Sequence, residues 1–125
     1  MLFEDITYAI RGAIFEVYRE LGPGLLESVY VAALQYELST QGFDVKVQVG
    51  LPVVYKGIQL DLGFRIDLIV EDSVIVEVKS VDALHDVFKK QSLTYLKLSR
   101  RRLAILVNFN VHKIQDKVSL IRIIN

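Results

Sequence analysis

The chain has 125 residues, of which 52% are hydrophobic and 24% are charged, and its formal net charge is zero. This length and apolar content are sufficient for a buried core, so we expect one soluble domain over residues 1–125 rather than a disordered chain. Cysteine is absent, which excludes disulfides, thiolate metal sites and thiol nucleophiles, and no apolar run reaches membrane-spanning length.

Two amphipathic helices are predicted at the beginning of the chain. In the first, apolar residues recur at helical spacing from Ile6 to Leu21, and Gly22-Pro23-Gly24 ends it. The second ends at Gly42, because glycine favours the left-handed conformation that follows many helices. Its apolar stripe consists of Leu26, Val29, Tyr30, Ala33, Leu34 and Leu38.

Extended segments follow, because the apolar period changes to two at Phe43. Residues 43–49 alternate between apolar and polar, which predicts a half-buried strand. Residues 51–55 form a further extended segment before a tight turn at Lys56-Gly57. The next strand alternates again, with Ile58, Leu60, Leu62, Phe64 and Ile66 on one face and Gln59, Asp61, Arg65 and Asp67 on the other.

The second half of the chain predicts a central strand, a third helix and two more strands. Residues 74–78 are almost all apolar, which is typical of a strand covered on both faces. A helix is predicted from Asp82 to about Leu98, and residues 103–109 and 119–124 are predicted strands. The inward side chains of this helix would be Leu84, Val87, Phe88, Tyr95 and Leu98. The predicted order is α-α-β-β-β-β-α-β-β, in one mixed-sheet α/β domain.

Two carboxylates occupy positions where a buried strand would carry apolar residues. Asp67 and Glu77 each lie between two aliphatic residues. An ionised carboxylate in a buried strand costs several kcal/mol unless it is paired or bound to a metal. Because side chains alternate along a strand, Lys79 shares a face with Glu77. These three residues are therefore the first candidates for a functional site.

The length of the loop between the two strands decides whether the carboxylates meet. A three-residue loop at residues 71–73 would pair Asp67 with Glu77, with roughly 5 Å between their Cβ atoms. A two-residue loop would separate them. The first register also pairs Ile69 with Ile75, and the burial of this apolar pair favours it.

Two carboxylates at that distance repel each other unless a cation lies between them. Magnesium takes oxygen ligands and is commonly bound by one or two carboxylates plus waters. Lys79 could orient an attacking water or neutralise charge on a phosphoryl oxygen. The alternative is a buried ion pair of Lys79 with one acid, which leaves the other acid unexplained.

Six basic residues, here called the basic stripe, lie within the third predicted helix and just after its end. Such a stripe can contact a phosphate backbone, but basic residues are also common at solvated helix ends, and charge alone favours this second interpretation. Its members are Lys89, Lys90, Lys97, Arg100, Arg101 and Arg102.

The spacing of the candidate residues resembles that of a known superfamily. Asp67, nine intervening residues and then Glu77-Val78-Lys79 resemble the PD-(D/E)XK nucleases. Residues 21–30, with the sequence LGPGLLESVY, look like the signature of the GxxExxY proteins, a prokaryotic branch of that superfamily. Residues 65–72 and 91–97 also look like theirs. The resemblance implies a three-layer fold with a central mixed sheet flanked by helices.

The resemblance also implies a role for each site residue. Asp67 and Glu77 would bind Mg²⁺ or Mn²⁺ with the carbonyl of Val78, and Lys79 would be the catalytic lysine. Glu27 would be the helix-borne acid that completes the site. A first-turn glutamate that interacts with the helix dipole is an alternative explanation of Glu27.

Further likeness concerns the third predicted helix. Gln91 and Tyr95 match the QxxxY element of RecB-like nucleases, which implies a place for both in the site. The alternative for Gln91 is a core amide that a backbone group satisfies. Tyr18 and Phe88 stand where many family members carry histidine, so the resemblance does not extend to proton transfer or phosphate contacts from those positions.

These observations lead to the hypothesis of a metal-dependent nuclease that hydrolyses phosphodiester bonds of DNA. The alternative is a non-cleaving nucleic-acid- or partner-binding module on the same fold, since a fold does not fix a function. A structural protein with a buried ion pair explains less. We expect a cytoplasmic protein without a membrane partner. A domain of 14.2 kDa covers little nucleic acid, which favours a homodimer or a larger partner.

Overall fold

A five-stranded mixed sheet forms the centre of the fold. The computed structural model describes residues 2–125, except for the side chains of residues 61–63. In the described chain, the elements are α1 (Phe3–Leu21), α2 (Glu27–Thr40), β1 (Val45–Tyr55), β2 (Ile58–Val70), β3 (Val74–Lys79), α3 (Asp86–Ser99), β4 (Leu103–Asn108) and β5 (Leu120–Ile124).

The strands lie in the order β1-β2-β3-β4-β5. Only the β3–β4 pair is parallel among these strands, and the other three pairs are antiparallel. Parallel neighbours need a crossover connection, which α3 supplies between β3 and β4. The antiparallel neighbours are joined without a helix.

Two apolar clusters lie on opposite faces of the sheet and give the fold three layers. Alternation along β3 divides its side chains between them, since Val74, Val76 and Val78 belong to the larger cluster and Ile75 to the smaller. The larger cluster contains the buried faces of α1 and α2, and the smaller contains Tyr95 of α3. The predicted three-layer α/β fold with a central mixed sheet is confirmed.

The prediction of two separate strands in residues 43–55 is wrong, because β1 is continuous. Its partner β2 pairs with it from Val45↔Val70 to Tyr55↔Ile58, with an irregularity between Leu51 and Val53. Pro52, which cannot donate a backbone hydrogen bond, falls within this irregularity on an edge strand. The sequence therefore suggested a break where the strand only bulges.

Part of the predicted core face of β2 is exposed. Ile58 and Leu60 are 63% and 42% exposed, because this end of the strand pairs with β1 alone. Ile66, at the other end of the same predicted face, is fully buried. The side chains of Asp61 and Leu62, which the alternation assigned to opposite faces, lie outside the described residues.

The helix predictions need smaller corrections. The stripe of α2 excludes Leu26, which precedes the helix, and Val29, since both are exposed, and it includes the buried Val31. The third helix begins at Asp86 rather than Asp82, and its inward residues are Ser92, Tyr95 and Leu96, whereas Val87 and Leu98 are exposed.

The predicted end of the second helix is confirmed. Gly42 has a φ of 91° and donates to Ser39, while Phe43 donates to Leu38, which satisfies the last carbonyls of the helix. No helix within residues 2–125 combines the length and apolar content needed to cross a membrane.

Candidate metal centre

The β2–β3 loop has the length that brings Asp67 and Glu77 together. Glu71 and Asp72 have φ values of 52° and 53°, so the loop turns within residues 71–73. The paired residues are Val70↔Val74, Ile69↔Ile75 and Leu68↔Val76. The predicted register is confirmed, and the next position along the two strands is occupied by Asp67 and Glu77.

At that position, side chains replace the hydrogen bonds of the β2–β3 ladder. The backbone N–H of Asp67 donates to Glu77 Oε1 at 3.1 Å. The backbone N–H of Val78 donates to Asp67 Oδ2 at 2.8 Å. Each carboxylate therefore lies against the opposite strand, and the two side chains face each other where the ladder ends.

Burial and mutual repulsion oppose ionisation of this pair. Glu77 is 3% exposed, and burial, followed by the negative charge of Asp67, raises the pKa of Glu77 to about 8. Burial is also the main cause that raises the pKa of Asp67, against the backbone hydrogen bond from Val78. The metal-free protein therefore keeps a proton on this pair at neutral pH.

Lys79 lies beside the two acids without pairing with them. Its Nζ is 4.9 Å from the centroid of the Phe88 ring, at the first turn of α3. None of the ion pairs within the described part of the chain includes Lys79, Asp67 or Glu77. The alternative of a buried Lys79–carboxylate pair therefore has no contact to support it, although the charge of Lys79 lowers the pKa of both acids.

Glu27 reaches the same region from the first position of α2. Its Oε2 accepts a hydrogen bond from the backbone N–H of Ser80, one residue after β3, at 3.0 Å. Its charge is one of the causes that raise the pKa of Asp67. Glu27 therefore lies close enough to Asp67 to affect it, and its first-turn position also interacts favourably with the helix dipole.

The segment before α2 is fixed by Tyr30. Its hydroxyl donates to the carbonyl of Gly22 at 2.6 Å and accepts from the N–H of Leu25 at 3.1 Å. Its ring stacks on Phe109 with 4.3 Å between centroids. This tyrosine of the LGPGLLESVY segment is therefore buried in the core and holds the turn that precedes Glu27.

Tyr95 of α3 lies near the acid pair, with Gln91 beside it. Tyr95 is 4% exposed, and burial, followed by the charges of Glu77 and Asp67, raises its pKa to about 12. A hydrogen bond from Gln91 lowers the pKa of Tyr95 but does not offset these effects. The tyrosine hydroxyl is therefore kept protonated beside the carboxylates, with the half-buried Gln91 amide next to it.

Asn108 was not singled out from the sequence, yet it fixes the chain beyond Lys79. It is 1% exposed and pairs with Lys79 across the parallel strands. Its Oδ1 accepts from Val81 N–H at 3.0 Å, and its Nδ2 donates to Val81 C=O at 2.9 Å. The available signal was a polar residue in the buried run of residues 103–109.

The available donor atoms are oxygens, which suit a hard cation such as Mg²⁺. The carbonyl of Lys79 points toward β4, because it accepts a hydrogen bond from the N–H of Phe109 at 2.9 Å. Since successive peptide groups point to opposite sides, the Val78 carbonyl points toward β2 and Asp67. Among the side chains of residues 2–60 and 64–125, no group of three acidic or histidine residues forms a ready-made metal cage. Two carboxylates, one carbonyl and waters nevertheless fit a magnesium ion.

The fold and this acid pair define a nuclease-like α/β protein. A family model described as the PD-(D/E)XK nuclease superfamily matches residues 4–122. The chain therefore belongs to the PD-(D/E)XK nuclease superfamily, which indicates a nuclease acting on nucleic acid. Neither a curated protein nor a solved structure matches the chain.

Proposed function

We propose that this protein is a Mg²⁺- or Mn²⁺-dependent nuclease of the GxxExxY branch that hydrolyses phosphodiester bonds of DNA. The observation that carries the proposal is the apposition of Asp67 and Glu77 at the end of the β2–β3 ladder, with Lys79 beside them. A buried carboxylate and a half-buried one that face each other are unfavourable without a cation, so their position needs a functional explanation.

Asp67, Glu77 and the Val78 carbonyl would bind the metal. When bound, the metal would supply Lewis-acid activation of the attacking water and stabilisation of the leaving oxygen. The metal would also replace the proton that Glu77 keeps in the metal-free protein, because a nearby cation favours the ionised carboxylate.

The remaining side chains would act on the phosphate and the water. Lys79 would orient the water and neutralise charge on a phosphoryl oxygen, because its ammonium is close to both acids but paired with neither. Glu27 would complete the acidic side of the site. Gln91 and Tyr95 would donate hydrogen bonds, because an amide N–H and a tyrosine hydroxyl both carry their protons at neutral pH, and the pKa of Tyr95 is raised further.

The proposal is tested by incubation of the protein with single-stranded, duplex and branched DNA, and with RNA, in Mg²⁺ or Mn²⁺. We expect cleavage of DNA that falls by about 100-fold or more in Lys79→Ala. Lys113→Ala, which removes an exposed lysine outside the site, is the matched control and should cleave like the wild type. Absence of cleavage on every substrate and in both metals would contradict the proposal.

One observation favours a second candidate, a nucleic-acid-binding module that does not cleave. No three metal-binding side chains come together within the described residues, so the site has fewer protein ligands than a preformed cage. This candidate predicts DNA binding that is unchanged by EDTA, together with no cleavage. The same incubations, combined with a binding assay, distinguish the two.

A further inference from the structure

The ammonium of Lys79 rests on an aromatic ring, although two carboxylates are close to it. Its Nζ lies 4.9 Å from the centroid of Phe88, within the roughly 6 Å at which a cation is attracted to a ring face. Lys79 and Phe88 are both half-buried, so water screens this contact only partly. The contact links the end of β3 to the first turn of α3.

This arrangement matters because Lys79 and a metal ion compete for the same oxygens. An ammonium hydrogen-bonded to Asp67 or Glu77 would occupy the atoms that a metal needs and would be less available to a phosphate. Lys79 lies on the same face of β3 as Glu77. The conformation of its side chain therefore decides whether the ammonium contacts a carboxylate or the Phe88 ring. The Phe88 ring offers the ammonium a favourable position away from the acids.

We propose that Phe88 is a positioning residue that keeps the Lys79 ammonium beside the carboxylates but not paired with them, so that the acids stay available to a metal ion. This inference rests on the proposed function. Phe88 does not touch the reacting atoms and acts only through Lys79. Without its ring, the ammonium is expected to move onto Asp67 or Glu77.

The test compares Phe88→Leu, which keeps an apolar side chain, with Phe88→Tyr, which keeps the ring. Val87→Ala is the matched control, because Val87 is the preceding residue of α3 and is 61% exposed. The first readout is the NMR shift of the Asp67 and Glu77 carboxyl carbons in metal-free protein, which responds to an ammonium that pairs with a carboxylate. We expect these shifts to be the same in the wild type, Phe88→Tyr and Val87→Ala and to change in Phe88→Leu. In a Lys79→Met background, Phe88→Leu should leave them unchanged.

The second readout is Mn²⁺ affinity without DNA, measured from the electron paramagnetic resonance of free Mn²⁺. We expect Phe88→Leu to bind Mn²⁺ about 2- to 30-fold more weakly, the range that a cation–π contact spans, and Phe88→Tyr to bind like the wild type. In cleavage assays, kcat should fall in Phe88→Leu while KM stays unchanged, because DNA binding does not depend on the ring.

The outcomes separate this inference from the function on which it rests. If the wild type neither binds Mn²⁺ nor cleaves DNA, the proposed function fails. If the wild type binds Mn²⁺ and cleaves DNA, and Phe88→Leu keeps the wild-type carboxyl shifts and Mn²⁺ affinity, the inference about Phe88 fails alone. The same change in the carboxyl shifts in Val87→Ala, or in a Lys79→Met background, would also overturn it, because the effect would then not depend on the ring or on Lys79.

Discussion

Asp67 donates a hydrogen bond to Glu77 and accepts one from Val78, at the point where β2 and β3 no longer pair with each other through their backbones. Asp67 N–H donates to Glu77 Oε1 at 3.1 Å, and Asp67 Oδ2 accepts from Val78 N–H at 2.8 Å. The backbone thus stabilises an arrangement that charge repulsion disfavours. The two acids are consequently held in place before any cation arrives, which reduces the ordering that metal binding requires.

The substitution Asp67→Asn tests whether this pair is a metal site. Asparagine retains an oxygen that can accept from Val78 and removes the negative charge that opposes ionisation of Glu77. We therefore expect Asp67→Asn to be as stable as the wild type in EDTA, or more stable. In Mn²⁺ at about 100 times the dissociation constant, the wild type should gain about 2.7 kcal/mol and the variant should not.

Thermal melts of both proteins in EDTA and in Mn²⁺ measure these differences. Glu20→Gln, which removes an exposed carboxylate of α1, controls for the change in net charge and should keep the metal response. If Asp67 instead stabilises Lys79 as a structural partner, its removal should cost about 3–5 kcal/mol in EDTA. That result, with no metal response in the wild type, would exclude the site.

Asn108→Ala should loosen the chain that follows Lys79. The substitution removes the hydrogen bonds at 3.0 and 2.9 Å that satisfy the N–H and C=O of Val81. Asn110 Nδ2 still donates to the Val81 carbonyl at 3.4 Å, but the N–H is left unsatisfied in a partly buried place, which should cost about 1–3 kcal/mol in the free energy of unfolding. Urea denaturation measures this loss. Gln115→Ala, which removes an exposed side chain, should be unchanged within about 0.5 kcal/mol.

The sequence predicted the acid pair well because it depends on local rules. The three-residue loop at residues 71–73 fixes the register, and the alternation of side chains then places Asp67 opposite Glu77. Both facts can be read from about a dozen consecutive residues. The end of α2 at Gly42 was predictable for the same reason, since glycine tolerates its φ of 91°.

Long-range contacts were not predictable in this way. Periodicity suggested that Val87 and Leu98 face the core, but the position of α3 on the sheet exposes both. Likewise, Asn108 meets Val81 only after α3 has brought β4 alongside β3. The contact between Lys79 and Phe88 also depends on where α3 begins, which the sequence placed at Asp82 rather than Asp86.

The basic stripe around the end of α3 should contribute phosphate contacts if the protein binds DNA. Arg101 is already paired with Asp72 at 2.6 Å, whereas Lys97 is exposed. We expect Lys97→Glu to weaken DNA binding and to reduce the slope of log affinity against log salt by about 0.9. Fluorescence anisotropy at several salt concentrations measures both. Lys113→Glu is the control, and equal slopes in all three proteins would mean that the stripe is only a solvated helix end.

The raised pKa of Glu77 predicts that the metal-free protein loses stability as pH rises. Glu77 has a pKa of about 8 in the folded protein, compared with an ordinary value of 4.5 that applies once the chain unfolds. Between these values the folded state binds more protons than the unfolded state. Stability present at and below pH 4.5 is therefore lost progressively toward pH 8, with a slope that approaches about 1.4 kcal/mol per pH unit.

Urea denaturation in EDTA between pH 5 and 8 measures this slope, and Glu77→Gln should flatten it, because glutamine does not titrate. Asp67 adds to the slope in the same direction, since its pKa is also raised, so a smaller pH dependence should remain in Glu77→Gln. Saturating Mn²⁺ should reverse the trend in the wild type, because the metal binds the ionised carboxylates and its affinity rises with pH. Identical slopes for wild type and Glu77→Gln in EDTA would show that Glu77 ionises normally, and the electrostatic argument for a cation between the two acids would then be wrong.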